Sequence, residues 1–138
     1  MEKEKINGIK DRKVILSTLW IFVLFNYLYA DVFTIIFNPA GQEVAMKMTE
    51  GVVLGFALLM EIPIVMVLLS RVLKYRANRW TNIIAGLWST VFVAWSLFAG
   101  ITPGSYYTFF ASIEIACTLF IVWYAWTWNN PDRNFSKA

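Results

Sequence analysis

The sequence predicts an all-α protein, a four-transmembrane-helix up-down bundle. Three observations predict it. Of the 138 residues, 59% are hydrophobic and 17% aromatic, with a mean hydropathy of +0.57, whereas the apolar share of a soluble domain is nearer half. Four apolar runs each reach about the 20 residues that a helix needs to cross the hydrocarbon layer. The basic residues, finally, gather in alternate connections between those runs.

Taken in order, residues 1–13 are charged and lack a sustained apolar face, and residues 14–37 run apolar apart from Asn26 and Asp31. This is the first span. A signal peptide cut after Ala30 is the rival reading; the large Leu28 at the minus-three position and the apolar run that resumes after Asp31 speak against it. Residues 38–50 hold Asn-Pro and Gly, which break helices and favour turns, so an external loop with one short surface turn is expected there. The second span is expected at 51–73 and carries Arg71 at its inner end, where it can snorkel. The polar stretch KYRANR connects it to a third span at 80–101. Thr102, Pro103 and Gly104 make a tight turn into a fourth span at 105–128, and the polar tail that follows is expected to fray. The whole chain, 1–138, reads as a single integral membrane domain.

Cytoplasmic flanks carry the excess of Lys and Arg. Lys3, Lys5, Lys10, Arg12, Lys13, Arg71, Lys74, Arg76, Arg79, Arg133 and Lys137 all fall on one side, and Lys47 alone on the other. The expected topology is therefore N-in and C-in, in a cell membrane. The aromatic residues agree as interface anchors, with Tyr106 and Tyr107 at the outer end of the fourth span and Trp123, Tyr124, Trp126 and Trp128 at its inner end. In the third span, Asn82, Ala85, Gly86, Ser89, Val93, Ser96 and Gly100 share one side of the helical wheel, opposite Trp88 and Trp95. Small residues let backbones approach, so that stripe is expected to face the bundle and the tryptophans the lipid.

Composition also excludes. The net charge of +3 belongs to topology signals rather than to a nucleic-acid patch, so no nucleic-acid partner is expected. One cysteine, Cys117, permits no intrachain disulfide. The absence of histidine removes the commonest general base, haem ligand and zinc ligand. No metal and no cofactor are expected.

Asp31, Glu61 and Glu114 are the ionisable carboxylates well inside the apolar runs, one each in spans one, two and four. An intramembrane acid is a functional candidate by default, because a charged carboxylate at the bilayer centre costs about 2.5 to 3.5 kcal/mol on the lenient insertion scale. At ~1.5 Å per residue from the outer ends, Asp31 lies roughly 9 Å deep, Glu61 about 15 Å and Glu114 about 13 Å. Tyr27, Asp31, Thr34 and Asn38 form one polar stripe; Tyr107, Ala111, Glu114 and Thr118 form another. Glu50 and Glu61 share a face of span two, and Pro63 should kink that span and free a carbonyl near Leu59. The expectation is a cluster of Asp31, Glu61 and Glu114, with Tyr27, Tyr107 and Thr118 beside them. No basic residue in the spans neutralises it, and its acids should titrate as a coupled set, exchanging a proton for a cation or a cationic amphiphile.

The stretch Leu59-Met60-Glu61-Ile62-Pro63, with Leu69 to Trp80 after it (LSRVLKYRANRW), resembles an uncharacterised family of small bacterial four-helix membrane proteins within the broader DoxX-like group. That resemblance implies an architecture and a bacterial inner membrane, and brings no reaction. A carboxylate shortly before a proline is also similar in plan to the sterol-isomerase and sigma-2-receptor type of fold, whose intramembrane acids hold cationic ligands or carbocation-like intermediates. Three classes of function follow, in order: a carrier or receptor for a proton, cation or small amphiphilic ligand; a structural or assembly subunit whose KYRANR loop meets a partner or anionic lipid; and a membrane enzyme of the isomerase type. Membrane lipid, a small cationic or hydrophobic ligand and a second copy of the chain are the expected partners.

Overall fold

A computed structural model of the chain describes residues 2–98 and 104–129. The expected turn at Thr102 and Pro103, Gly100 and the tail beyond Asn129 lie outside the described residues. Five helices form, α1 (Glu2–Phe37), α2 (Pro39–Met46), α3 (Glu50–Val72), α4 (Tyr75–Phe98) and α5 (Ser105–Trp126), and no strand is present among the described residues. α1, α3, α4 and α5 are long and apolar enough to cross a membrane, which makes this a membrane protein of the all-α, four-helix class.

Two boundaries differ from expectation because charged residues need not break a helix. α1 has 36 residues; its charged start contains strong helix formers and no proline, and nothing stops the helix. Ile9 packs against the core, and the Arg12 guanidinium lies over the Tyr124 ring, 5.0 Å from its centroid, so this extension is docked on α5. α4 likewise begins at Tyr75, and most of the expected KYRANR connection is helical. Leu73 adopts an extended backbone and ends α3, leaving Leu73 and Lys74 as the link. The expected loop at 38–50 contains α2, two turns long, with Pro39 in the first helical position that suits its fixed φ and missing N–H.

The four long helices form a square: α1 packs on α3 and α5, and α4 on α5 and α3. The α4–α5 seam is the tightest. At Gly86 a Cβ would stand 3.2 Å from the Thr118 carbonyl oxygen and 2.7 Å from Val122 Cγ2, so only glycine lets the two backbones come this close. The expected stripe of α4 faces inward, with Asn82, Ala85, Gly86, Ser89, Val93 and Ser96 buried, while Trp88 and Trp95 are exposed. The α3–α4 seam is the loosest. Gly51 and Gly55, a G-x-x-x-G at the start of α3, meet nothing, since a Cβ on either would have no atom within 4 Å.

The core sits toward the basic end of the bundle, where Leu16, Trp20, Val23, Met66, Ala85, Cys117, Ile121 and Trp128 are buried together. Trp128, expected at an interface, is instead packed edge-on against Tyr75, with ring centroids 5.2 Å apart, and its carbonyl accepts the Tyr75 hydroxyl. A polar network runs through this core. Trp20 Nε1 donates to Asn82 Oδ1 at 2.7 Å, and Ser70 Oγ donates to the same oxygen at 3.2 Å. Asn82 Nδ2 donates to Asn78 Oδ1 at 2.6 Å, and Asn78 Nδ2 donates to the Ser70 carbonyl at 2.6 Å. Ser17 Oγ donates to the Val67 carbonyl at 2.9 Å and accepts from Arg71 Nε at 3.2 Å. In an apolar medium every such group needs an internal partner, and this closed set ties α1, α3 and α4 together.

Candidate functional site

Away from that network, toward the opposite end, a second polar region lies between α1, α4 and α5. Each member comes from a helix stripe. Tyr27 and Asp31 are four residues apart on α1, Glu114 and Thr118 four apart on α5, and Ser89 and Ser96 seven apart on α4, so each pair shares a face. Because α4 and α5 are drawn close at Gly86, their small polar residues sit opposite one another. Thr90 and Thr118 pair through their hydroxyls at 2.7 Å. Tyr107 and Ser96 do the same at 2.7 Å, nearer the helix ends. Ser89 of α4 faces Tyr27 of α1 across the bundle.

Glu114 stands among these residues. It is 4% exposed, and its Oε1 is buried with no hydrogen-bond partner. The Thr118 hydroxyl, one turn on, does not serve it, since that hydroxyl donates to the Glu114 backbone carbonyl at 2.8 Å. The charge that reaches Glu114 is that of Asp31, and Tyr27 feels Glu114, Tyr107 and Asp31 together. Asp31 itself is exposed at the bundle surface. Above it, Phe33 meets Phe110 edge-on at 5.5 Å and Tyr106 at 6.2 Å, closing the α1–α5 seam with aromatic rings. A crevice of about 10 Å³ lies on the other side of Tyr27, lined by Tyr27, Leu59, Met60, Pro63, Trp88, Ser89 and Phe92. That is about the room one water takes. Leu59, whose carbonyl loses its helical N–H partner to Pro63, is part of the lining. The crevice lies along the loose α3–α4 seam.

Of the six residues chosen from sequence, the structure brings Asp31, Glu114, Tyr27 and Tyr107 into one electrostatic group. Thr118 adjoins it but turns its hydroxyl to Thr90. Glu61 is not brought to them. It is exposed on α3, whose buried residues are Pro63, Met66 and Ser70, and the face it shares with the exposed Glu50 points away from the bundle. Asn26, the other polar exception in the first apolar run, is buried and donates within its own helix to the Phe22 carbonyl at 3.0 Å. Ser89, Ser96 and Thr90 are the additions. Their signal was present, since Ser89 and Ser96 lie on the inward stripe of α4, but only the structure shows which tyrosine each one meets. Among the described residues no group of His, Cys, Asp and Glu could hold a metal ion.

The fold and this buried acid define a small polytopic membrane protein with a polar interior. The chain belongs to a family of unknown function, DUF6326, whose members' shared region matches residues 5–134. No curated protein and no solved structure matches it.

Proposed function

We propose that the chain binds a small cationic amphiphile, or a proton in its place, at Glu114, with Asp31, Tyr27 and Tyr107 completing the site. The observation that carries this reading is the Glu114 Oε1, a strong acceptor buried with no hydrogen-bond donor. The Trp20–Asn82–Ser70 set, which fixes helix packing, is paired; a buried acceptor left open is suited to an incoming donor. No lysine or arginine lies near the middle of α1, α3, α4 or α5 to neutralise the acid, so the complement must arrive as ligand. Asp31, exposed at the bundle surface, supplies a second negative group close enough to act on Glu114. The expected orientation, with both termini cytoplasmic, a bacterial inner membrane as location and kinship with the DoxX-like group all belong to this reading.

The test uses full-length protein in phosphatidylcholine nanodiscs and tetraphenylphosphonium as the probe cation. Wild type is expected to bind it saturably and to release protons on binding, with infrared difference spectra showing loss of a protonated-carboxyl band. Glu114→Gln is expected to lose both signals while Glu61→Gln keeps them. Equal binding by wild type and Glu114→Gln would sink the proposal.

A further inference from the structure

Two cations are brought together at the basic end of the α1–α3 seam with no carboxylate against them. Lys13 Nζ donates to the Arg71 backbone carbonyl at 3.5 Å. Arg71 Nε in turn donates to the hydroxyl of Ser17 at 3.2 Å, one turn along α1 from Lys13. Ser17 is fully buried and gives its own proton to the Val67 carbonyl, so its oxygen is left as a fixed acceptor for the guanidinium. Of the five N–H donors of an arginine, Arg71 engages only the one on Nε; among the described residues neither of its Nη groups forms a hydrogen bond, and neither cation forms an ion pair. Arg12 and Arg79, by contrast, lie over the Tyr124 and Trp126 rings.

Helix capping accounts for part of this arrangement. The Arg71 carbonyl belongs to the last turn of α3, and a helix C-terminus carries about half a negative charge. Against two full cations that leaves an excess of about one and a half positive charges, to which Lys10, exposed one turn before Lys13 on the same face, adds. Depth selects the anion that balances it. In the apolar span Glu50–Val72, Arg71 stands about 31 Å from Glu50 at ~1.5 Å per residue, and the hydrocarbon layer is about 30 Å thick. Acyl chains give way to headgroups at that level, and the abundant anion there is phosphate.

We propose that Arg71 and Lys13 form a binding site for a phosphate group, that of an anionic phospholipid, which bridges α1 and α3. The two Nη groups are the paired donors that a phosphate accepts in parallel, and the Lys13 ammonium adds a point charge from the neighbouring helix. A phosphatidylglycerol headgroup brings a net negative charge, whereas the choline of phosphatidylcholine cancels its own phosphate. The site lies at the end of the bundle away from Glu114, so it stands or falls independently of the ligand proposed there.

Native mass spectrometry of the full chain, released from maltoside micelles holding equimolar phosphatidylglycerol and phosphatidylcholine, reads which lipid stays bound. Wild type is expected to retain phosphatidylglycerol preferentially. Arg71→Gln and Lys13→Gln should each lower that preference about fivefold, equivalent to ~1 kcal/mol, and Arg71→Lys, which keeps the charge without the paired donors, should fall between. Arg76→Gln removes an exposed charge of the same sign outside the site and should leave the preference close to wild type. The preference is a ratio within one variant, so a general loss of stability does not move it; Lys13 makes a single long bond to the protein, and its replacement leaves the fold intact. Millimolar inorganic phosphate is expected not to displace the lipid. Equal retention of the two lipids by wild type, a loss in Arg76→Gln as large as in Arg71→Gln, or displacement by inorganic phosphate would overturn the inference.

Discussion

Replacing Asn82 by alanine tests whether the polar network at the basic end holds the bundle together. Asn82 is fully buried. Its Oδ1 accepts from Trp20 on α1 and Ser70 on α3, and its amide donates to Asn78. Interhelical hydrogen bonds in a membrane protein average about 0.6 kcal/mol, with a maximum near 1.7, so the two bonds to other helices are worth ~1 to 3 kcal/mol. The Trp20 N–H would then remain unpartnered in a dry interior, which costs a further ~1 to 3 kcal/mol unless it is repacked. Part of this relaxes, and Asn82→Ala is expected to destabilise the protein by ~2 to 4 kcal/mol. Trp20→Phe removes the donor but leaves Asn82 bonded to Ser70, and it should cost less. The assay is reversible unfolding in mixed micelles titrated with dodecyl sulfate, on the single variants and on the double. If the bond is real, the two changes are coupled by about 1 kcal/mol. Costs that add to within ~0.3 kcal/mol, or an Asn82→Ala protein within ~0.5 kcal/mol of wild type, would refute the reasoning.

The same titration checks three further expectations. Gly86→Val places its Cβ against the Thr118 carbonyl and Val122 and should cost ~1 to 3 kcal/mol by overpacking the α4–α5 seam, with Gly86→Ala milder because helix propensity returns about 1 kcal/mol. Gly55→Ala meets open space and should leave stability unchanged or raise it by up to ~1 kcal/mol. Tyr75→Phe removes the bond to the Trp128 carbonyl. It should cost ~0.5 to 1.5 kcal/mol, and hydrogen exchange should quicken in the last turn of α5 more than elsewhere.

The four spans and the inward stripe of α4 were legible because each is a pattern along one helix. Hydrophobic length sets a span, and the contrast between small Ser89 or Ser96 and bulky Trp88 or Trp95 sets a face. Helix limits were less legible, since Lys, Glu and Arg mark the end of an apolar run without ending a helix, and α1 and α4 continue through them. The acids show the same limit in another form. Depth follows from counting residues, and the count sets Asp31, Glu61 and Glu114 at similar levels along their helices. Direction depends on what each helix packs against. Ser70, small, polar and opposite Glu61 on the wheel, is the signal that α3 turns its acid outward. The Trp20–Asn82 bond joins residues 62 apart in sequence, and no periodicity within one helix can announce it.

The crevice beside Tyr27 lies along the seam where α3 and α4 touch least, on the flank of the bundle rather than at a water-facing end. With room for about one water it admits no amphiphile as it stands, so a ligand bound as proposed would have to part α3 from α4 on its way in from the membrane. Its apparent affinity would then scale with the amount of lipid in the assay, and compounds would rank by partition coefficient multiplied by fit.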